Sequence, residues 1–246
     1  MFYLRNTDPA DKQFFEQALQ RFRHMFSRMI ALDNVILFDR NLGYQKDPDF
    51  ARAFRNAALT AQDGTLELRL NTLAWAGTHA LHVAGDFVEC GVFHGFCSAF
   101  LADYLKFASV DKSYYLYDTF AGIPAEYDSE ANNDPLLAAP GLYESVRARF
   151  AAYPNVHVVK GVVPDTLHQV SPERIAFLHL DMNSSKSEIA ALDMLFDRVS
   201  PGGIIVFDDY GWLAYQAQQV AEDAFVRARG YRILELPTGQ GLLLKR

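Results

Sequence analysis

The sequence is poor in cysteine and has no long apolar run, and both shortages narrow its class. Cys90 and Cys97 are its only two cysteines in 246 residues. They read as small reduced thiols of a cytoplasmic protein rather than as a disulfide framework. The stretch MFYLRNTDPADKQFFEQ meets acids early and offers no uninterrupted apolar segment, so neither a signal peptide nor a transmembrane helix is expected. Basic excess is missing too: Lys and Arg number 23 against 30 Asp and Glu, a formal net charge of −7. That balance argues against nucleic acid or an anionic membrane as partner. The chain contains no G-x-S-x-G, no G-x-x-x-x-G-K-[ST] and no Cys/His zinc spacing, which leaves covalent catalysis, phosphate hydrolysis and zinc chemistry without support. It also lacks a Gly/Ser/Pro linker and any internal repeat. What remains is a chain that is 50% hydrophobic and long enough for one α/β domain with a helical attachment.

The organising stretch is Gly85 to Ser98, GDFVECGVFHGFCS. A short apolar run ends in Glu89, Gly91 and Gly95 make a turn, and Phe100, Leu101, Tyr104 and Leu105 continue at helical spacing. Strand, glycine turn and helix in that order let a cofactor approach bare backbone beside free helix N–H groups. The spacing E-x-G-x-x-x-G differs from the dinucleotide fingerprint G-x-G-x-x-G.

Upstream, Phe14, Phe15, Ala18, Leu19, Phe22, Met25, Phe26, Met29 and Ile30 predict an amphipathic helix over 11–32 that packs on the core or on a second copy. Asp47-Pro48 opens a second helix, stopped by Asp63-Gly64, and a third runs from Thr65 to about Val83. Residues 1–84 thus read as a helical lid or appendage, and 85–246 as a Rossmann-like unit. Strands are expected at 86–90, 113–118, 155–160, 175–181, 203–208, 230–236 and 241–245. Helices are expected at 95–108, 141–152, 185–198 and 212–229, with a brief turn near 164–169. Alternating apolar strands and helices imply a parallel sheet covered on both faces. Pro237 to Gln240 is too short for a crossover, so the last two strands form an antiparallel hairpin.

Ligands gather at the carboxyl ends of such strands. The exits are Glu89–Gly95, Asp118-Thr119, Gly161–Asp165, Asp181–Ser185, Asp208–Tyr210 and Thr238–Gln240, and four of the six carry an acid directly at the strand end. Asp118 is placed to accept the hydroxyls of a ribose, a reading preferred over a helix cap. Glu89 either fixes the glycine turn or reaches the cofactor. Asp181, Asp208 and Asp209 bring three carboxylates together, whose repulsion calls for a cation such as Mg²⁺, with Asn183 as a further oxygen and helix capping as the alternative. His179 reads as a core histidine, Lys186 as a solvated lysine, and His94 as closing the glycine loop or touching cofactor. The acidic segment from Ala125 to Pro140 reads as a gating loop.

The blocks GDFVECGVFHG, YDTFAGIP, LHLDMNSSKSEIAAL, SPGGIIVFDDYGW and LPTGQGLLLK, in this order, resemble the macrocin O-methyltransferase (TylF-type) family over about residues 66 to 246. The resemblance implies a class I S-adenosylmethionine-dependent methyltransferase: a mostly parallel sheet with a reversed last strand, Mg²⁺ as metal, and the hydroxyl of a sugar or glycosylated natural product as acceptor. The cofactor contacts it implies are Arg69 (on the cofactor carboxylate), Glu89, Gly91, Val92, Gly95, Ser98, Asp118, Thr119, Gly161 and Asp181. The metal ligands are Asp181, Asp208 and Asp209, with Asp181 and Asp208 as the catalytic pair. This chain departs from the family's D-x-D-x-Y, having Asn183 and Ser185 after Asp181. It also offers no histidine between Tyr127 and Tyr143. A small-molecule acceptor and a homodimer complete the expectation.

Overall fold

A computed structural model describes residues 8–128 and 134–246. The chain starts with α1 (Pro9–Met25), where Asp8 caps the helix by accepting from the Ala10 N–H at 2.8 Å and Pro9 fits the first turn. The expected helix over 11–32 stops there. Phe26 is extended, and Met29 and Ile30 belong to a hairpin, β1 (Met29–Leu32) and β2 (Val35–Phe38), turned at Asp33 and Asn34 with φ of 48° and 58°. Two left-handed residues between apolar runs make a tight hairpin turn, and it overrides the helical spacing of the apolar side chains. The core role expected of α1 is also not found: none of its residues is buried, and Phe14 and Met25 are each 71% exposed.

Next come α2 (Pro48–Ala57), capped by Asp47, and α3 (Glu67–Ala80). The sheet unit then runs β3 (Asp86–Cys90), α4 (Phe96–Tyr104), β4 (Tyr114–Asp118), α5 (Leu142–Arg149), β5 (Val156–Lys160), α6 (Asp165–Gln169), β6 (Ile175–Leu180), α7 (Ser185–Leu195), β7 (Val199–Phe207), α8 (Gln216–Ala228), β8 (Leu234–Glu235) and β9 (Gly241–Leu244). The strand expected over 230–236 shrinks to two residues, while β7 starts four residues before its expected beginning.

Among the described residues the sheet has seven strands in the order β5-β4-β3-β6-β7-β9-β8. The first five are parallel, and β9 runs antiparallel to both β7 and β8, the expected reversed end. Strand alternation splits the core in two. Phe87, Phe177, Ile204 and Val206 face α2, α3 and α4. Val88, Leu178, Ile205 and Phe207 face α6, α7 and α8 on the other side. The helices at 48–80 therefore share one core with the sheet. Strand order reverses between β3 and β6, and the crevice at their carboxyl ends is where a ligand fits. No helix among the described residues is long and apolar enough to cross a membrane.

Candidate active site

At the end of β3 the chain turns sharply through Gly91 at φ +88°, where a Cβ would overlap the Asp181 carbonyl oxygen of the neighbouring strand exit. Gly95, at φ +76°, opens α4. Asp118, at the end of β4, holds this turn in place. Its Oδ2 accepts from Val92 N at 2.7 Å and Phe93 N at 2.8 Å, and its Oδ1 accepts from Phe120 N at 2.6 Å. A carboxylate has about four lone-pair sites, so Asp118 keeps room for one ligand hydroxyl rather than for both ribose hydroxyls. A cavity of about 160 Å³ opens here against Gly91, Val92, Asp118, Thr119, Gly161 and Asp181, with Ile123, Pro124, Val163 and Met182 as its apolar wall.

A second cavity, of about 480 Å³, adjoins it and shares Phe93, Leu137, Asp181 and Asn183 with the first. Arg69, Asp208, Asp209, Trp212 and Tyr215 line its far side. Phe93 and Asn183 hold positive φ, of 50° and 55°, at the boundary between the two. Such backbone in non-glycine residues carries a cost that concentrates at functional sites.

The second cavity is strongly negative. Asp134, Asp181, Asp208 and Asp209 line it, and Asp33 and Glu89 lie buried behind them, around one guanidinium, Arg69, and one imidazole, His179. Arg69 Nε donates to Asp33 Oδ2 at 2.7 Å, and its Nη1 donates to Asp208 Oδ2 and, at 3.3 Å, to Asp209 Oδ1. Its guanidinium also lies 5.1 Å from the Trp212 ring centre. Gln240 Nε2 donates to Asp208 Oδ1 at 2.8 Å. His179 sits between carboxylates, with Nε2 3.4 Å from Asp208 Oδ1 and Nδ1 3.5 Å from Glu89 Oε1. Burial disfavours its charge, but the two carboxylates outweigh burial and hold the imidazolium.

Burial would likewise raise Asp208, but Arg69 and His179 hold it well below the usual carboxylate range. Asp209 is pushed up to about 7, by burial first, against the pull of Arg69. Asp181 rises well above its ordinary value through burial and the repulsion of Asp208 and Asp209. Asp181 makes no salt bridge among the described residues, and one ligand atom each from His179, Asp181 and Asp208 lies within 4.8 Å of the others. The carboxylate oxygens of Asp181 and Asp208, with Asp209 beside them on the same cavity wall, fit a hard divalent cation, while the His179 imidazolium is engaged by Asp208 and Glu89.

The structure brings Gly91, Val92, Asp118, Thr119, Gly161 and Asp181 to the first cavity, and Asp181, Asp208 and Asp209 to the second. Four residues expected as cofactor contacts do not line the first cavity. Arg69 lines the second cavity and is engaged by Asp33, Asp208 and Asp209. Glu89 is buried between Tyr114, whose OH donates to it at 2.7 Å, and His179. An outward-facing strand-end acid would have served the turn, whereas this one faces the helix layer. Ser98 is fully buried and, like Gly95, lines neither cavity.

His94 closes the loop by meeting Asp63 at 3.3 Å, and Lys186 Nζ donates to the Glu126 carbonyl. Of the expected gating loop, 129–133 lie outside the described residues. Its Leu137 lines both cavities. The two thiols are free, and burial pushes both up, away from the thiolate form that a nucleophile needs. Sequence reading missed Asp33 and Trp212. The Asp33-Asn34 pair between apolar runs was a usable hairpin signal for the first; nothing local marked the second.

Residues 60–232 match the macrocin O-methyltransferase (TylF) family model. The chain is 34% identical over 142 residues to the 8-demethyl-8-(2,3-dimethoxy-alpha-L-rhamnosyl)-tetracenomycin-C 4'-O-methyltransferase of Streptomyces olivaceus, covering 52% of this chain and 54% of that protein. It is 30% identical over 158 residues to the mycinamicin III 3''-O-methyltransferase of Micromonospora griseorubida, covering 58% and 62%. The matches thus span little more than half the length of these curated relatives. In fold the chain resembles the O-methyltransferase NovP, with a TM-score of 0.62, 23% identity, and coverage of 72% of this chain and 79% of that one. A model match over this much of the sequence is decisive: the chain belongs to the macrocin O-methyltransferase (TylF) family.

Proposed function

We propose that the protein transfers a methyl group from S-adenosylmethionine to a hydroxyl of a sugar or glycosylated natural product, assisted by Mg²⁺. The observation that carries this reading is the pair of adjoining cavities, one built on the glycine turn and one lined by acids, with Asp181 in the wall of both. The donor's adenosine has the apolar wall at Ile123, Pro124, Val163 and Met182, and a ribose hydroxyl has the remaining acceptor site of Asp118. The acceptor then lies across Asp181 from the donor. Sulfonium chemistry needs little from the protein beyond alignment, because the methyl group already has a good leaving group.

Asp181, Asp208 and Asp209 would hold the ion, which supplies a Lewis acid that favours the deprotonated hydroxyl. Gln240 and His179 fix the Asp208 carboxylate, and Trp212 and Tyr215 form the wall against which a sugar ring rests. A cytoplasmic homodimer is the proposed setting. Calorimetry with S-adenosylhomocysteine tests the reading: binding in the micromolar range is expected, and binding of NAD in its place would overturn it. Methylation of a candidate glycoside that survives EDTA would remove the ion from the reading.

A further inference from the structure

Asp33 is the one residue that the hairpin β1–β2 sends into the acid cluster, and it is 1% exposed. Its Oδ2 accepts from Arg69 Nε, but its Oδ1 is buried without any hydrogen-bond partner. A buried orphan oxygen on a charged group is rare, because folding has taken its water away and supplied nothing in return. The group best placed to fill it is Arg69 itself. A guanidinium presents its Nε–Nη2 edge as a fork that matches the two oxygens of a carboxylate. Here Nε already meets Asp33, while Nη2 makes no hydrogen bond among the described residues. The opposite corner, Nη1, is drawn to Asp208 and Asp209. Arg69 is thus held between two acid sets, with half of its fork to Asp33 unmade.

We propose that Arg69 is an exchangeable counter-cation: it neutralises Asp208 and Asp209 until a divalent ion binds, and then closes its Nε–Nη2 fork on Asp33. Asp33 is a positioning residue that receives the displaced charge. This inference rests on the divalent-ion part of the proposed function. Without a receiver, an entering cation would meet a neighbouring guanidinium with like charge at close range, and binding would be weak. The hairpin turn supplies that receiver, and the Trp212 face gives the guanidinium a surface to turn against.

The test is Mn²⁺ binding, read as free Mn²⁺ by electron paramagnetic resonance, for the wild type, Asp33→Asn, Arg69→Met and the double variant. Asparagine tolerates the left-handed backbone of position 33, so the hairpin is kept. Asp33→Asn is expected to weaken Mn²⁺ binding about tenfold, the coupling typical of residues in one charge network. Arg69→Met is expected to bind at least as tightly as the wild type, and in that background Asp33→Asn is expected to have no effect. If the wild type and Asp33→Asn bind Mn²⁺ equally, the exchange is overturned while the ion reading stands. If only Arg69→Met binds, Arg69 is a permanent occupant, and both exchange and ion reading fall. If no variant binds, both fall together.

Discussion

Gly91 shows how tightly single residues are tied to this site. Its φ of +88° is costly for any side chain, and its missing Cβ is the space into which the Asp181 carbonyl fits. Gly91→Ala must therefore push β3 and β6 apart at their exits. The expected outcome is loss of S-adenosylhomocysteine binding in calorimetry together with a lowered Tm. Asp118 acts at the same place from the opposite side, with three backbone N–H groups resting on one carboxylate. Asp118→Ala leaves those donors unmet, at roughly 1–3 kcal/mol for each that stays dry, and is expected to weaken cofactor binding at least 100-fold. An Asp118→Ala protein that binds S-adenosylhomocysteine like the wild type would show that the turn does not depend on this acid.

At the scale of elements, the packing of α7 on α8 contains two acids where apolar residues would be expected. Glu188 and Glu222 are each 1% exposed and neighbour one another. Glu188 Oε1 accepts from Met182 N at 3.1 Å and from Gln218 Nε2 at 2.9 Å, but Glu188 Oε2 and both Glu222 oxygens have no donor. A shared proton between the two carboxyls resolves this, and burial followed by mutual repulsion raises Glu188, while burial raises Glu222. An acid whose value is higher in the folded state binds more protons there, so its contribution to stability falls as pH rises above the unfolded value of about 4.5. Tm is expected to fall between pH 5 and pH 8. Glu222→Gln, which supplies a permanent donor, is expected to flatten that fall and to raise Tm at pH 8 by a few degrees. An unchanged slope in a calorimetric pH series would show that the pair is not shared.

The helices themselves were legible, because Ile189, Leu192 and Leu195 repeat at helical spacing. Their meeting was not, since nothing local says that Glu188 will face Glu222. The same contrast holds for the site. Asp118, Asp181 and Asp208 end apolar strands and could be read from position alone. The roles of Arg69 and Glu89 turn on which neighbour each side chain finds across the sheet, and that is set only by tertiary packing.

For the whole molecule, the open question is why the N-terminal segment folds at all. From residue 8 to residue 46 no apolar side chain is buried, and Phe22 of α1 and Phe26 just after it meet Phe38 of the hairpin. A helix of 17 residues is marginal in water without packing, yet α1 exposes Phe14, Phe22 and Met25. Its apolar spacing is real, so the sequence was right about amphipathicity; among the described residues the core does not receive it. The proposed cover is a second copy, with the two α1 faces opposed, and the hairpin that delivers Asp33 to Arg69 would lie next to that contact. Light scattering of the full chain is then expected to report a dimer. A chain shortened to begin at Phe26 is expected to run as a monomer with nearly the same Tm, because the sheet core keeps every buried apolar side chain. A full-length monomer would remove the association, and a large loss of Tm in the shortened chain would show that α1 stabilises the fold from within.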